Sequence, residues 1–76
     1  MKIKNVPVWL AAEEMGKGEM FVRMGLRLNR FPFGVAVQGK GGRWSYQISP
    51  KRFCQYQGCT MTELITRKNR REGVVL

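Results

Sequence analysis

Pro7 to Arg30 of this chain reads PVWLAAEEMGKGEMFVRMGLRLNR, and the fold turns on how that stretch is divided. Gly16-Lys17-Gly18 breaks it into two short helical segments. In the first, Val8, Ala11, Ala12 and Met15 fall at i, i+3, i+4 and i+7, an apolar stripe at helical spacing. Pro7 suits the first helical position, where its missing N–H is not needed. Glu13 and Glu14 lie off the stripe and make this segment acidic. Trp9 and Leu10 are not absorbed by it; they either cover the hairpin or the C-terminal helix, or form an exposed patch. Gly16 can adopt the left-handed geometry that ends a helix, and Gly18 occupies the N-cap of the second segment.

The second segment is basic. Val22, Gly25 and Leu26 mark its buried side, with Phe21 and Met24 flanking. Glu19, Arg23, Arg27 and Arg30 recur at spacings of four, four and three and so share one face. Glu19 in the first turn suits the helix dipole. An ordinary solvated face would show the same stripe. The acidic helix and tight turn before it favour a helix-turn-helix whose second helix enters a major groove.

Working outward, Phe31-Pro32-Phe33-Gly34 ends the second helix, because Pro32 pushes Phe31 out of helical geometry. Val35 to Gln38 and Arg43 to Ile48 read as strands joined by Gly39-Lys40-Gly41-Gly42. Trp44, Tyr46 and Ile48 alternate on one face of the second strand, and Val35 and Val37 supply the matching apolar side of the first. A hairpin after a helix-turn-helix is a wing, with Lys40 and Arg43 at its tip. The glycine run is not a phosphate-binding loop, since the Lys-Ser/Thr ending is missing. On the other side, Met1 to Val6 is a short strand or a frayed end.

Ser49-Pro50 is a helix start, with a serine N-cap and proline at the first position. Phe53 and Tyr56 face the core from it, and Gly58 stops it. Thr60-Met61-Thr62-Glu63 fits a capping box. Residues 59–76 therefore form a basic C-terminal helix or a flexible tail beside a winged domain of residues 1–58. Arg67, Lys68, Arg70 and Arg71 place four of the 14 basic residues within five positions of that segment. They are a solvated tail, an extra DNA-backbone contact or a docking segment.

Composition narrows the function. At 76 residues the chain is one small domain, of a size that buries only about 60% of its unfolded surface. The net charge is +9, from 14 Lys+Arg against 5 Asp+Glu, which favours an anionic partner, nucleic acid before membrane. No apolar run spans a bilayer and no signal-peptide pattern opens the chain, so a cytoplasmic location is expected. There is no histidine, and Cys54 and Cys59 are the only cysteines. Two thiolates do not complete a zinc site, and a disulfide over so short a loop would stabilise little. Cys54 reads as packed and Cys59 as incidental. Without histidine or aspartate, no nucleophile–base pair can be assembled, so a non-enzymatic protein without metal or cofactor is expected.

The blocks AAEEMGKGEMFVRMGL, FPFG and RWSYQISPKRF resemble the small excisionase-like DNA-binding proteins of bacteriophages and mobile elements, relatives of the MerR-type winged helix-turn-helix domains. The resemblance runs from Val6 to Tyr56. It implies that Glu19, Met20, Arg23 and Arg27 present the recognition surface and that Lys40 and Arg43 belong to the wing. It also implies that Trp44 and Tyr46 pack the wing against the helices. The chain departs from the pattern in having Pro7 in place of a Ser or Thr cap and Gly18 where a serine is common. It has no room for the long dimerisation helix of MerR regulators.

The expected fold is thus α+β, a winged helix-turn-helix with two N-terminal helices, a β-hairpin wing and one or two C-terminal helices. The expected function is sequence-specific binding of double-stranded DNA. Arg23 and Arg27 suit bidentate guanine contacts; Lys17, Arg30, Lys40 and Arg43 suit phosphates. The resemblance adds an architectural role: several copies on adjacent sites, helping an integrase or recombinase excise a prophage or mobile element. Two alternatives stand. One is a prophage transcriptional regulator of the same fold. The other is a basic protein-interaction adaptor using Trp9, Leu10 and the Leu64–Arg71 segment.

Overall fold

In a computed structural model, which describes residues 4–73, the chain forms four helices and one antiparallel hairpin. Helices α1 (Val8–Met15) and α2 (Glu19–Arg27) come first. Strands β1 (Gly34–Gln38) and β2 (Trp44–Ile48) follow, then α3 (Pro50–Gln57) and α4 (Met61–Arg71). This is a small α+β winged helix-turn-helix. Among the described residues, no helix is long and apolar enough to cross a membrane.

Local signals set the helix ends. The N–H groups of Gly16 and Lys17 bond back to Glu13 and Ala12 at 3.1 and 2.9 Å, and Gly16 takes φ 69°, a conformation that costs a glycine little. Pro7 is the N-cap of α1, one residue ahead of its expected place. The Ser49 hydroxyl accepts from Arg52 N–H at 3.3 Å. The capping box at α4 is complete: Thr60 Oγ1 accepts from Glu63 N–H at 3.1 Å, and Glu63 Oε1 from Thr60 N–H at 2.9 Å. The Thr60 backbone N–H, and after it the Thr60 hydroxyl, hold the Glu63 carboxyl below its usual pKa.

The second helix ends earlier than expected. It stops at Arg27, and Asn29 turns the chain with φ 55°. Arg30 N–H bonds to Gly25 O at 2.8 Å, closing the helix end. Arg30 therefore stands outside the helix and off the Glu19–Arg23–Arg27 stripe. Asparagine tolerates the left-handed region, so it ends the helix before Pro32 can.

The core joins every element. Leu10, Val22, Leu26, Phe33, Ile48, Phe53 and Leu64 are all buried in one cluster. Leu10 was not part of the expected stripe. It is buried with Ala11 and Ala12 because α1 packs against both α2 and α3, so its buried arc is wider than one stripe. Trp9 is half-buried against the same core. Of the readings left open for Trp9 and Leu10, cover for other elements or an exposed patch, the fold forms cover. Val6 is also buried, and its N–H donates to Ile48 O at 3.0 Å. Asn5 Oδ1 accepts from Ile48 N–H at 2.6 Å. Residues 5–6 are therefore tied to the end of β2; the rest of that expectation, residues 1–3, lies outside the described residues.

The first strand presents the opposite face from the one expected. Val35 and Val37 are 51% and 59% exposed. Pairing sets Gly34 opposite Ile48, Ala36 opposite Tyr46 and Gln38 opposite Trp44. Directly opposed residues share a face, so Gly34 and Ala36 turn inward with the large β2 side chains. Those side chains fill the space, and only small residues fit across from them. At Gly34 an added Cβ would lie 2.5 Å from Gln47 O and 3.1 Å from a Leu26 methyl. Trp44, Tyr46 and Ile48 do share the inner face, with Arg43, Ser45 and Gln47 exposed.

Tyr56 was expected in the core and is instead half exposed, its ring edge-on to Phe33 at 5.1 Å. Cys59, expected to be incidental, packs against the core. Cys54 is buried as expected, its Sγ 3.7 Å from Met61 Sδ. Burial, then the neighbouring Cys59, pushes the Cys54 thiol up to about 12 from an ordinary 9.0. A thiol raised this way adds stability that is complete below the unfolded value and is lost as pH rises through the folded one. Unfolding midpoints are expected to fall from pH 9 upward, and to fall less in Cys54→Ala. Native Cys54 is expected to resist alkylation at pH 8 and to react once denatured; mass spectrometry of the labelled chain reads this directly.

Candidate nucleic-acid interface

Among the described residues, five ion pairs organise the surface. Glu14 pairs with Arg67, and Glu13 with Arg71 at 2.9 Å, tying α1 to α4. Glu63 lies 3.6 Å from Arg67, and Glu72 lies 2.8 Å from Lys68. The last pair, Glu19 to Arg23 at 2.9 Å, is on α2. The Glu14 carboxylate raises the Arg67 guanidinium above its already high pKa. The Glu14 backbone carbonyl also accepts from Gln57 Nε2 at 2.9 Å, joining α3 to the same corner.

These pairs sort the charge. Glu13, Glu14, Glu63 and Glu72 balance Arg67, Lys68, Arg70 and Arg71, so the α1–α4 side is neutral. The whole net charge of +9 falls on the rest of the chain, which carries ten of the 14 Lys+Arg and only Glu19. The basic C-terminal run, left open between tail, DNA contact and docking segment, is a helix with two arginines turned onto α1. Of the surface that the alternative adaptor reading assigned to Trp9, Leu10 and the Leu64–Arg71 segment, Leu10 and Leu64 are fully buried, and Arg70 and Arg71 are exposed. The signal for the α1–α4 pairing was in the sequence, since an acidic first helix and a basic last one are complementary. What it lacked was their proximity.

The structure separates the expected site residues into three groups. Lys17 is exposed in the α1–α2 turn, its Nζ 5.4 Å above the Phe21 ring. Arg30 is exposed beyond the end of α2. Lys40 and Arg43 are exposed at the hairpin tip, on either side of a 3-10 turn over Lys40–Gly42. Glu19 and Arg23 occupy one another, and Met20 is exposed beside them.

Arg27 is the residue the structure redefines. Its Nε donates to the Tyr46 hydroxyl at 2.7 Å. Its guanidinium lies 4.7 Å from the Trp44 ring centre and 5.7 Å from that of Tyr46. One edge of the fork is therefore spent on the wing, and a planar guanidinium stacked on two rings is held in place. Arg27 fixes the angle between α2 and the hairpin. The stripe spacing placed it correctly on its face, but could not show that β2 lies over that face.

Comparison with protein-family models, with curated proteins and with solved structures finds no match.

Proposed function

We propose that this chain binds double-stranded DNA, with α2 in the major groove and the β1–β2 wing on the adjacent backbone or minor groove. The observation that carries this reading is the charge sorting. Four glutamates balance the four α4 cations in number, which leaves Arg23, Arg27, Arg30, Lys40, Arg43, Lys51 and Arg52 on α2, the wing and the start of α3 against Glu19 alone. Among the described residues, Lys17, Arg30, Lys40 and Arg43 have no carboxylate partner and suit phosphates, which position the protein without specifying sequence. Glu19, Met20 and Arg23 present the base-reading surface. Arg27 holds the wing at its angle to α2, and so acts on binding through geometry.

The finer role is that of an excisionase-like architectural factor assisting an integrase. It rests on the resemblance of the helix, FPFG and W-x-Y blocks described above. In that role several copies occupy adjacent sites and bend the duplex. Single-copy binding to a straight duplex favours the transcriptional regulator instead.

Salt dependence tests the DNA reading. Neutralising about six phosphates gives a slope of log affinity on log salt near −5. Lys40→Ala is expected to weaken all sequences alike and to make that slope shallower by about 1. Arg23→Ala is expected to narrow the gap between preferred and random sequences. A flat salt dependence, or no duplex binding at low salt, overturns the reading.

A further inference from the structure

The outermost face of α2 is apolar. At 100° per residue, the buried edge of Val22 and Leu26 points one way and Met24 points directly opposite. Met20 lies one turn earlier, and Leu28 continues the row just past the helix end. These three are 62%, 42% and 59% exposed for Met20, Met24 and Leu28. Arg23 and Arg27, the two residues best suited to guanine by type, border the row, but Glu19 holds the first and Tyr46 the second. The part of α2 that projects furthest thus offers thioethers and a leucine, with few free donors.

Resting on the DNA-binding reading, the geometry points to a more specific role: Met20 and Met24, with Leu28, read the 5-methyl groups of thymines along the major groove. Thymine is the one natural base that puts a methyl group there, and apolar side chains are its complement. The row is a single convex ridge on a helix of nine residues, a shape that fits a groove about 12 Å wide. Charge complementarity selects the duplex over an apolar protein partner. Lys17 and Arg30 stand beyond the two ends of the row, and the wing cations Lys40 and Arg43 stand beyond the Arg27–Tyr46 contact. Methionine adapts its three torsions to irregular apolar surfaces, so it can follow methyl groups at more than one step.

The experiment selects duplexes from a random-sequence library with the full chain, then remakes the enriched duplex with deoxyuridine in place of thymine. Removing each contacted methyl is expected to weaken binding about fourfold, the cost of exposing one methyl-sized group. Replacing two should exceed tenfold. The double variant Met20→Ala, Met24→Ala is expected to bind the thymine and deoxyuridine forms alike. Both positions are exposed and alanine favours helix, and the wild-type comparison stands without the variant.

Equal binding of both forms by the wild type, with sequence preference intact, overturns methyl reading and leaves DNA binding standing. A double variant that keeps the thymine preference also overturns it, since duplex shape would then carry the effect. Enrichment of no sequence has the same meaning. Failure to bind any duplex at low salt removes both readings together.

Discussion

Replacing Phe33 with alanine is expected to cost about 3–5 kcal/mol, a large share of the roughly 4–11 kcal/mol available to a chain of this length. Phe33 is buried where three aromatic neighbours meet. It stacks on Phe31 at 4.9 Å and 13°, and meets Phe53 edge-on at 5.0 Å and 86°. Tyr56 closes the third side. The Phe33 carbonyl also accepts from Ser49 N–H at 2.8 Å, so Phe33 joins the start of β1 to the cap of α3. Truncation removes the contacts and leaves a cavity between rigid rings that collapse poorly. The thermal midpoint should fall by about 12 °C or more. Phe33→Leu refills much of the space and should cost clearly less. A loss under about 1 kcal/mol for Phe33→Ala in denaturant titration would mean that the aromatic cluster is not the centre of the core.

Deleting residues 59–76 is expected to abolish cooperative folding. That segment supplies Leu64, which is fully buried, and Met61 and Cys59, which pack on the same core. Leu64→Ala alone should cost about 2–5 kcal/mol. The exposed Glu13–Arg71 pair to α1 matters less: exposed pairs contribute little and weaken in salt. Arg71→Ala is therefore expected to leave the midpoint nearly unchanged, while Leu64→Ala lowers it strongly. The deletion removes the apolar wall and leaves Glu13 and Glu14 without their α4 partners. Circular dichroism and denaturant titration of residues 1–58 check this. A cooperative transition at the full chain's midpoint would show α4 to be an appendage.

Neither the face of β1 nor the role of α4 could be settled locally. A strand's apolar residues normally turn inward, and Val35 and Val37 are its largest. Yet a one-residue choice of face exchanges every side chain, and the decision lay with β2. Once Tyr46 and Trp44 fill the inner side, Ala36 and Gly34 are what fits. Leu10 follows the same logic. It lay off the best helical stripe, and only the presence of both α2 and α3 around α1 makes that side of the helix interior.

By itself the sequence determined the elements and most of their ends; α2, which Asn29 closes ahead of Arg30, is the exception. Ser49-Pro50, the Thr60–Glu63 box and Gly16 act through bonds to residues within a few positions, so they are legible in order along the chain. The alternation of Trp44, Tyr46 and Ile48 is equally local, and the net charge is a count. Tertiary structure alone decided how Pro7 to Arg30 is used. It put Glu13 and Glu14 against Arg71 and Arg67, 53 or more positions away, and so left the cations of α2 and the wing with Glu19 as their one acidic neighbour in those elements. It laid Trp44 and Tyr46 over Arg27, so that an expected base-reading residue also contacts the wing. It left Met20 and Met24 as the outermost residues of the helix. Each of these depends on which surfaces meet, and pairing across the fold is set by packing that no local pattern encodes.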